Sequence, residues 1–335
     1  MSEETGDAVC VIIAARNAAG TIAMAIASAL EQAQVSEVVV VDDASSDATA
    51  AAAAAADDGS GRLRVVSFDT NRGPAAARNH AISVSSAPLV AILDADDFFF
   101  PGRFAAMLEH RDWDFIADNI AFMHQPVQSQ RPQLFQPRAR QLSTLEFIEG
   151  NISRPGIRRG EIGFLKPVMR RAFLSRHDLR YNEALRLGED YELYLRALIK
   201  GARYTVIEHC GYGAVVRANS LSGQHRTEDL KRLCAADGAI RAASRLAAPV
   251  DRALGRHQRH IRNRYELRAF LDTKARNGGL AAIRHLMARP TALPAVATGI
   301  LRDKLRRTDK GEGEGDTATQ ADFRYLLAGV PVAQK

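Results

Sequence analysis

Cysteine, tryptophan and long apolar runs are scarce in this chain of 335 residues. The three cysteines, Cys10, Cys210 and Cys234, are widely separated and lack the spacing of zinc ligands. We therefore expect reduced thiols, without a disulfide framework or a zinc site. No apolar run reaches the ~20 residues that cross a bilayer. The first residues, MSEETGDA, are acidic and lack the basic-then-apolar order of a secretory signal, so we expect a cytoplasmic location.

Signals for nucleic-acid binding are also missing, although the net charge is +6 and the sequence pI is about 9.4. The chain has no zinc finger and no basic repeat interleaved with aromatic residues, so we expect no nucleic-acid partner. Arginines crowd the region after Arg217, which fits a phosphate-bearing substrate or an anionic membrane surface. With 46% hydrophobic residues, the chain has enough apolar material for one large domain and an extension.

The first hundred residues alternate short apolar runs with alanine-rich segments. The runs predict four strands, Val9–Ala15, Val38–Val41, Leu63–Phe68 and Leu89–Leu93. The alanine-rich segments predict three helices, Thr21–Gln34, Asp47–Asp57 and Pro74–Ser85. Repeated strand–helix–strand units with short connections indicate an α/β fold, Rossmann-like, with a mostly parallel central sheet flanked by helices.

A cluster of acids follows the last of these strands. In VAILDADDFFFP the apolar run ends abruptly at Asp94, Asp96 and Asp97. Carboxylates at the carboxyl edge of an open α/β sheet lie where such sheets bind ligands, and hard divalent ions neutralise their mutual repulsion. On an extended segment, Asp94 and Asp96 would face the same side. The alternative is a turn and helix cap before Pro101.

The second half of the chain is less regular. Strands are predicted at Trp113–Met123, Arg203–Ile207 and Gly211–Val216, and helices at Ser143–Glu149 and Asp190–Lys200. A long helical pattern then runs over Glu228–Arg276. We expect a catalytic domain at 1–226, a basic helical extension at 227–307 and a largely disordered tail at 308–335. The basic helices either present a solvated face or associate with a membrane, for which Leu280–Arg307 is the candidate segment.

Five motifs occur in a single order along the chain: VCVIIAARN, VVVVDDASSD, NRGPAAARN, LDADD and GEDYELYLRAL. Together they resemble the inverting family-2 glycosyltransferases of GT-A fold over about Val9 to Gln224. Through RANSLSGQH, near Arg217, the chain is most similar to bacterial exopolysaccharide enzymes of the succinoglycan glucosyltransferase kind. The resemblance implies a metal-dependent transfer of a hexose, with glucose from UDP-glucose favoured, to a lipid-linked or growing polysaccharide. It places the enzyme in the cytoplasm or at the inner face of the plasma membrane.

The resemblance also assigns residues to the donor. The donor-binding residues that it implies are Ala14, Arg16, Asn17, Asp42, Asp43, Gly73, Arg78, Asn79, Asp94, Ala95 and Arg217. Within this set Asp43 is expected to accept the N3–H of uracil, and Arg16 stands where the family has an aromatic residue. Each motif has a simpler alternative: Asp42 and Asp43 as helix-capping groups, and Arg78 with Asn79 as a surface pair on a helix.

For catalysis, the Glu189–Asp190 pair matches the acidic pair of the family. Inversion at an anomeric carbon requires a base on the face opposite the leaving nucleotide, and Asp190 is expected to be that base, with Glu189 orienting an acceptor hydroxyl. Acids at a helix start also serve simply as caps. Asp96 is the main predicted ligand of a Mg²⁺ or Mn²⁺ ion, with His225 as a second candidate or a surface group. Glu161 and Lys166 face the acceptor or belong to a structural loop.

Other functions stay open at this point. The same fold serves enzymes that use UDP-galactose or a UDP-N-acetylhexosamine. A phosphoacceptor module also places aspartates at strand ends, but it needs a lysine at a late strand end, and no lysine follows the strand of Asp94. A non-catalytic protein that binds nucleotides or carbohydrates has no need of the base Asp190.

Overall fold

The computed structural model describes residues 6–124, 132, 138–153, 162–216, 226–300 and 323–327. The chain forms two compact units, one made of Met1–Ala218 and Asp322–Lys335 and the other of Asn219–Ala321. No helix in the described residues is both long and apolar enough to cross a membrane.

The first unit is built on one mixed sheet, to which the described residues contribute ten strands. The strands are β1 (Val9–Ala15), β2 (Val35–Asp42), β3 (Leu63–Ser67), β4 (Leu89–Ile92), β5 (Phe98–Phe99), β6 (Phe115–Met123), β7 (Ala139–Gln141), β8 (Val168–Arg170), β9 (Tyr204–Val215) and β10 (Arg324–Tyr325). The main path runs β3-β2-β1-β4-β8-β6-β9-β5, with β7 on β9 and β10 on β6. Strands β1 to β4 are parallel to one another, β6 is parallel to β9, and β8 runs antiparallel between β4 and β6.

Seven helices of the first unit are described. They are α1 (Ile22–Leu30), α2 (Thr49–Ala55), α3 (Pro74–Ser83), α4 (Arg103–Leu108), α5 (Thr144–Gly150), α6 (Arg171–Arg176) and α7 (Glu189–Ile199). Local chemistry explains several of their starts. Pro74 opens α3, where its fixed φ and missing N–H are tolerated. Ser143 and Glu146 form a reciprocal capping box at α5. These starts fix which side chains face the carboxyl ends of the strands.

The parallel half of the fold confirms the predicted alternation of strands and helices. β1 is buried along nearly its whole length, which explains why its sequence reads as a continuous apolar run. Ala25, Ala29 and Ala53 of the covering helices are fully buried, and their small side chains allow the helices to pack close to the sheet. The core therefore lies between this sheet and its helices, beneath the ends of β1, β2 and β4.

The other half of the sheet differs from the prediction. The two strands predicted at Arg203–Ile207 and Gly211–Val216 are one strand, β9, whose register against β6 shifts around Asn119. Strands β5, β7 and β8 have only two or three residues each, which is too few to show the alternation of apolar and polar residues by which a strand is recognised. Within the predicted tail at 308–335, the structure describes residues 323–327. Here β10 pairs with β6, and the Asn119 amide exchanges two hydrogen bonds with the backbone of Leu327.

The described part of the second unit is mainly helical. The predicted pattern over Glu228–Arg276 forms two helices, α8 (Thr227–Ala243) and α9 (Ala248–Met287), because the chain is extended at Ser244 and restarts just before Pro249. Gly278 has a φ of +81° and kinks α9. Helices α8 and α9 pack through apolar residues and a buried pair, in which His257 Nδ1 lies 2.7 Å from Asp237 Oδ2.

Candidate active site

Two glycines with positive φ aim two helix starts at the carboxyl edge of the sheet. Gly73, with φ +90°, precedes α3, and Gly188, with φ +73°, precedes α7. A side chain is strained in this conformation, so the glycines permit both abrupt turns. As a result Arg78 of α3 and Glu189 and Asp190 of α7 meet beside the end of β4.

Five charged side chains form a buried cluster there, which we call the acid–base cluster: Arg78, Asp94, Lys166, Glu189 and Asp190. Arg78 Nη1 donates to Glu189 Oε1 at 2.8 Å and to Asp190 Oδ1 at 3.0 Å, while its Nη2 donates to Asp94 Oδ1 at 2.9 Å. Lys166 Nζ lies 2.9 Å from both Asp190 Oδ2 and Asp94 Oδ2. Asp94 is the most exposed member, with 33% of its side chain accessible, whereas Arg78 and Lys166 are nearly covered.

The electrostatics of the acid–base cluster follow from three carboxylates that share two cations. Burial raises the pKa of Asp94, but Lys166 and Arg78 outweigh burial and bring it to about 2. Burial raises the pKa of Glu189 above its ordinary value, against the opposing charge of Arg78. For Lys166, burial lowers the pKa, and Asp190 and Asp94 more than reverse this effect. Both cations therefore stay charged.

Of the five residues in the acid–base cluster, Lys166 is the hardest to recognise as a site residue from the sequence. It belongs to the segment before β8. The structure brings it to Asp94, although no lysine comes directly after the strand that precedes Asp94. A second buried pair supports it: Arg103 Nη2 donates to the Lys166 carbonyl at 2.6 Å and to Asp118 Oδ1 at 2.8 Å. Asp118 also accepts the Gly211 N–H at 2.8 Å. The backbone that carries Lys166 is thus held by the core.

The loops after β1 and β2 form one side of the site. Asn17 Oδ1 accepts the Ser46 N–H at 2.9 Å, and Ser45 Oγ accepts the Asn17 N–H at 2.9 Å. Asp42 accepts hydrogen bonds from the backbone and hydroxyl of Ser45. Ala14 is half-buried and Arg16 is exposed. Asn17, Asp42 and Ser45 therefore join the two loops into one wall, while Arg16 is exposed.

Asp43 and Asn79, two further predicted donor residues, already hold loops together. Asp43 is buried and accepts from the Arg72 N–H at 2.6 Å, the Gly73 N–H at 2.9 Å and Asn71 Nδ2 at 2.7 Å. Asn79 exchanges hydrogen bonds with both backbone groups of Tyr181, at 2.8 and 2.9 Å. A carboxylate has about four acceptor sites, so Asp43 keeps capacity for one more donor. The two Asn79 bonds fix the segment that leads into α7.

The DADD segment is a turn, contrary to the extended arrangement expected for it. The Asp97 N–H donates to the Asp94 carbonyl at 3.1 Å, so strand alternation does not place Asp94 and Asp96 on one face. Asp97 accepts from Tyr212 Oη at 2.8 Å and from the Val215 N–H at 2.9 Å. Burial and the neighbouring acids raise its pKa. Asp97 therefore anchors β9, Asp96 is half-buried, and Ala95 is nearly covered.

The described residues contain no ready-made metal centre of three or more histidine, cysteine or acidic side chains. Magnesium sites that serve phosphate chemistry often use only one or two carboxylates, with the remaining oxygens supplied by the substrate and water. Asp96, at the carboxyl edge and beside the acid–base cluster, fits a cation of that kind. Arg217 and His225 lie outside the described residues, as does Glu161.

The arrangement places three carboxylates and two cationic side chains at one edge of the sheet. The Asp190 carboxylate is held from both sides by Arg78 and Lys166, which fixes its orientation. Asp94, which is partly exposed, and Asp96, which is half-buried, belong to the same turn.

Comparison with known proteins identifies the family of the chain. Residues 10–175 match the model of the family described as glycosyl transferase family 2. The chain is 57% identical over 331 residues to the succinoglycan biosynthesis protein ExoU of Rhizobium meliloti (strain 1021), covering 97% of both chains.

Two solved structures show the fold. The TarS 1-349 fragment of S. aureus in complex with UDP-GlcNAc gives a TM-score of 0.58 at 20% identity, covering 80% of this chain and 74% of that one. The mannosyltransferase PcManGT of Pyrobaculum calidifontis, in complex with GDP-Man and Mn²⁺, gives 0.54 at 17% identity, covering 91% and 88%. The predicted α/β class with a helical C-terminal region is confirmed. The chain is a family-2 glycosyltransferase with the GT-A fold.

Proposed function

We propose that this enzyme transfers a hexose, glucose from UDP-glucose, to a lipid-linked or growing saccharide in bacterial exopolysaccharide biosynthesis, with inversion. The observation that supports catalysis most directly is the acid–base cluster, in which a carboxylate is oriented at the carboxyl edge of the sheet. The likeness to a succinoglycan biosynthesis protein supports an exopolysaccharide product. The likeness to a structure that contains UDP-GlcNAc supports a uridine nucleotide donor.

The uridine part of the donor is proposed to lie against the wall formed by the loops after β1 and β2. Asp43 accepts the N3–H of uracil with its remaining capacity, while Ala14, Arg16 and Asn17 line the base. Asp42, Gly73, Asn79 and Ala95 complete the donor pocket, and Asp94 binds the ribose or the sugar. Arg78, and Arg217 from outside the described residues, compensate the charge of the diphosphate.

Asp190 is proposed as the general base. It removes the proton from the acceptor hydroxyl as the oxygen attacks the anomeric carbon on the face opposite the leaving UDP, and the C–O bond to the diphosphate breaks. The pair of cations around it supports this role because they hold the carboxylate in one orientation before the acceptor arrives. Glu189 orients the acceptor hydroxyl.

A Mg²⁺ or Mn²⁺ ion is proposed as the cofactor, held by Asp96 and, from outside the described residues, by His225. Such an ion stabilises the negative charge of the departing diphosphate. The mannosyltransferase neighbour that contains Mn²⁺ supports this assignment. On this proposal Asp96→Ala weakens metal-dependent UDP binding, as measured by calorimetry with and without Mn²⁺.

The chain is further proposed to comprise a catalytic domain at 1–226, a basic extension at 227–307 and a tail at 308–335, and to act at the cytoplasmic face of the membrane. Leu280, Ile283 and Met287 support peripheral attachment, since they recur on one side of α9 and are 78%, 56% and 71% exposed. Sedimentation with phosphatidylglycerol vesicles at low salt tests this part. Full-length protein that stays in the supernatant would contradict it.

The decisive experiment concerns the base. Asp190→Asn is expected to lower turnover by about 100-fold to 10,000-fold, the usual contribution of general base catalysis, while the affinity for UDP stays within a few-fold. Asp178→Asn is the matched control, because Asp178 is exposed, lies outside the site and has a positive φ that asparagine tolerates. Wild-type turnover in Asp190→Asn would disprove the assignment.

The donor and the stereochemistry are tested separately. Purified enzyme is screened with Mn²⁺ against UDP-glucose, UDP-galactose and UDP-N-acetylhexosamines, and release of UDP is measured. Proton NMR of the product then reports the anomeric configuration. Preference for a donor other than UDP-glucose would overturn the assignment of the sugar but not that of Asp190 as the base. Retention of the anomeric configuration would overturn the proposed inverting displacement.

A further inference from the structure

The second unit contains an arginine-lined cavity that the glycosyl-transfer site does not use. It lies between α8 and α9, has a volume of about 580 Å³, and five arginines line it: Arg241, Arg252, Arg256, Arg259 and Arg262. We call it the arginine groove. One acidic residue, Asp251, is also part of the lining.

One arginine of the groove is neutralised and structural. Arg241 Nε and Nη2 donate to the two oxygens of Asp251 at 2.8 and 3.0 Å, which makes a bidentate pair. Arg241 Nη1 also contacts Gln258 Oε1 at 3.4 Å, and Gln258 Nε2 donates to the Cys234 carbonyl at 3.2 Å. This pair and the glutamine fix the floor of the groove across the two helices.

The other four arginines of the lining all belong to α9. Arg252, Arg256, Arg259 and Arg262 follow one another at spacings of four, three and three residues, so neighbouring members lie within a single helical turn. Leu254, one of the residues between them, is fully buried against the rest of the unit. In the described part of the chain, no carboxylate forms an ion pair with Arg259 or Arg262. Like charges at this spacing repel, and an anion in the groove removes that repulsion.

A glycine makes room for the floor of the groove. Gly255 lies between the arginines, and a Cβ built there would come within 3.3 Å of Arg241 Nη1. The absence of a side chain lets the Arg241 guanidinium lie against the α9 backbone. The floor therefore carries fixed N–H donors, and the rim carries movable guanidinium groups.

We propose that the arginine groove binds phosphate groups of a multivalent phosphate ligand. Guanidinium groups bind phosphate oxygens with paired, parallel hydrogen bonds, and several guanidiniums around one cavity favour a ligand with more than one negative charge. Two sources share this chemistry: phospholipid headgroups at a membrane surface and a free diphosphate. The inference does not depend on the proposed donor, base or metal, and the groove residues are separate from Leu280, Ile283 and Met287.

The test compares two probes with full-length protein. Co-sedimentation measures binding to phosphatidylcholine vesicles with and without phosphatidylglycerol, and calorimetry measures binding of inorganic pyrophosphate without a divalent ion. The variant is Arg259→Gln/Arg262→Gln, which keeps helix-forming side chains at two exposed positions. The control is Arg176→Gln/Arg245→Gln, which removes the same net charge at exposed positions outside the groove.

A basic side chain near an anionic surface contributes about fivefold in affinity, so the groove variant is expected to bind about 25-fold more weakly while the control changes little. Loss of vesicle binding alone assigns a lipid headgroup, and loss of pyrophosphate binding alone assigns a free diphosphate. Circular dichroism checks that both variants are folded. Absence of binding to both probes, or equal weakening in the groove and control variants, would overturn the proposal.

Discussion

Replacing Asp118 by asparagine tests the buried ion pair that supports Lys166. The pair is fully buried: the Arg103 and Asp118 side chains are 0% and 1% exposed. Arg103 Nε and Nη2 both donate to Asp118, and its Nη2 also reaches the Lys166 carbonyl. Asparagine has nearly the same volume, but its single oxygen replaces only one of the two acceptors that Gly211 N–H and Arg103 Nη2 use, so the variant removes the charge and one acceptor.

The expected loss of stability follows from the uncompensated cation. Removing one partner of a buried pair costs about 3–5 kcal/mol, because the remaining charge stays in a low-dielectric interior. For a unit of this size each kcal/mol lowers Tm by about 2–4 °C, so Asp118→Asn is expected to lower the Tm of the catalytic unit by about 10 °C. Differential scanning calorimetry measures this shift directly.

The double variant Arg103→Met/Asp118→Asn separates charge from packing. It removes both charges, so its Tm is expected to lie above that of Asp118→Asn. Turnover in Asp118→Asn is also expected to fall, because the Lys166 carbonyl loses a donor with a fixed position. A Tm within 2 °C of wild type in Asp118→Asn, at the precision of calorimetry, would show that this pair does not hold the core.

Three further outcomes are expected. Gly211→Ala destabilises the protein, since its Cβ would lie 2.4 Å from Arg103 Cγ, and urea unfolding should show a lower midpoint. Burial raises the pKa of Cys10 to about 11, so its thiol stays protonated at pH 8. Iodoacetamide should therefore modify the half-buried Cys234 first, and mass spectrometry after native labelling would refute this if Cys10 reacted equally fast. Lys166→Met leaves the carboxylates of the acid–base cluster with one cation, and steady-state kinetics should show kcat about 100-fold lower; unchanged kcat would remove Lys166 from catalysis.

Local patterns were sufficient for the parallel half of the fold. The continuous apolar run of β1 and the alanine-rich composition of the helices are visible within a few residues of sequence, and Pro74 marks a helix start. The order of the motifs was also enough to identify the family. The carboxyl ends of parallel strands meet at one edge, so Asp94 could be expected there, whereas Asp190, in the first turn of a helix, was assigned to the site through the family resemblance.

What could not be predicted depends on contacts between distant segments. Lys166 reaches Asp94 only because β8 inserts antiparallel between β4 and β6, and β8 is too short to be recognised from its sequence. The turn at Asp94 likewise depends on Tyr212 and Val215 of β9, which hold Asp97. Pairing across a sheet is set by the whole core and leaves little trace in local periodicity.

The pairing of β10 with β6 has a consequence for synthesis of the chain. Arg324 and Tyr325 emerge from the ribosome only after the entire helical unit has been made. Until then Ala121 and Phe122 of β6 lack a partner strand on the side that β10 later occupies. Their backbone N–H and C=O groups on that side can pair with another nascent chain. Pairing of β10 with β6 is thus the last step in the folding of the sheet. Mispairing between neighbouring nascent chains is expected on polysomes that translate this mRNA at high density.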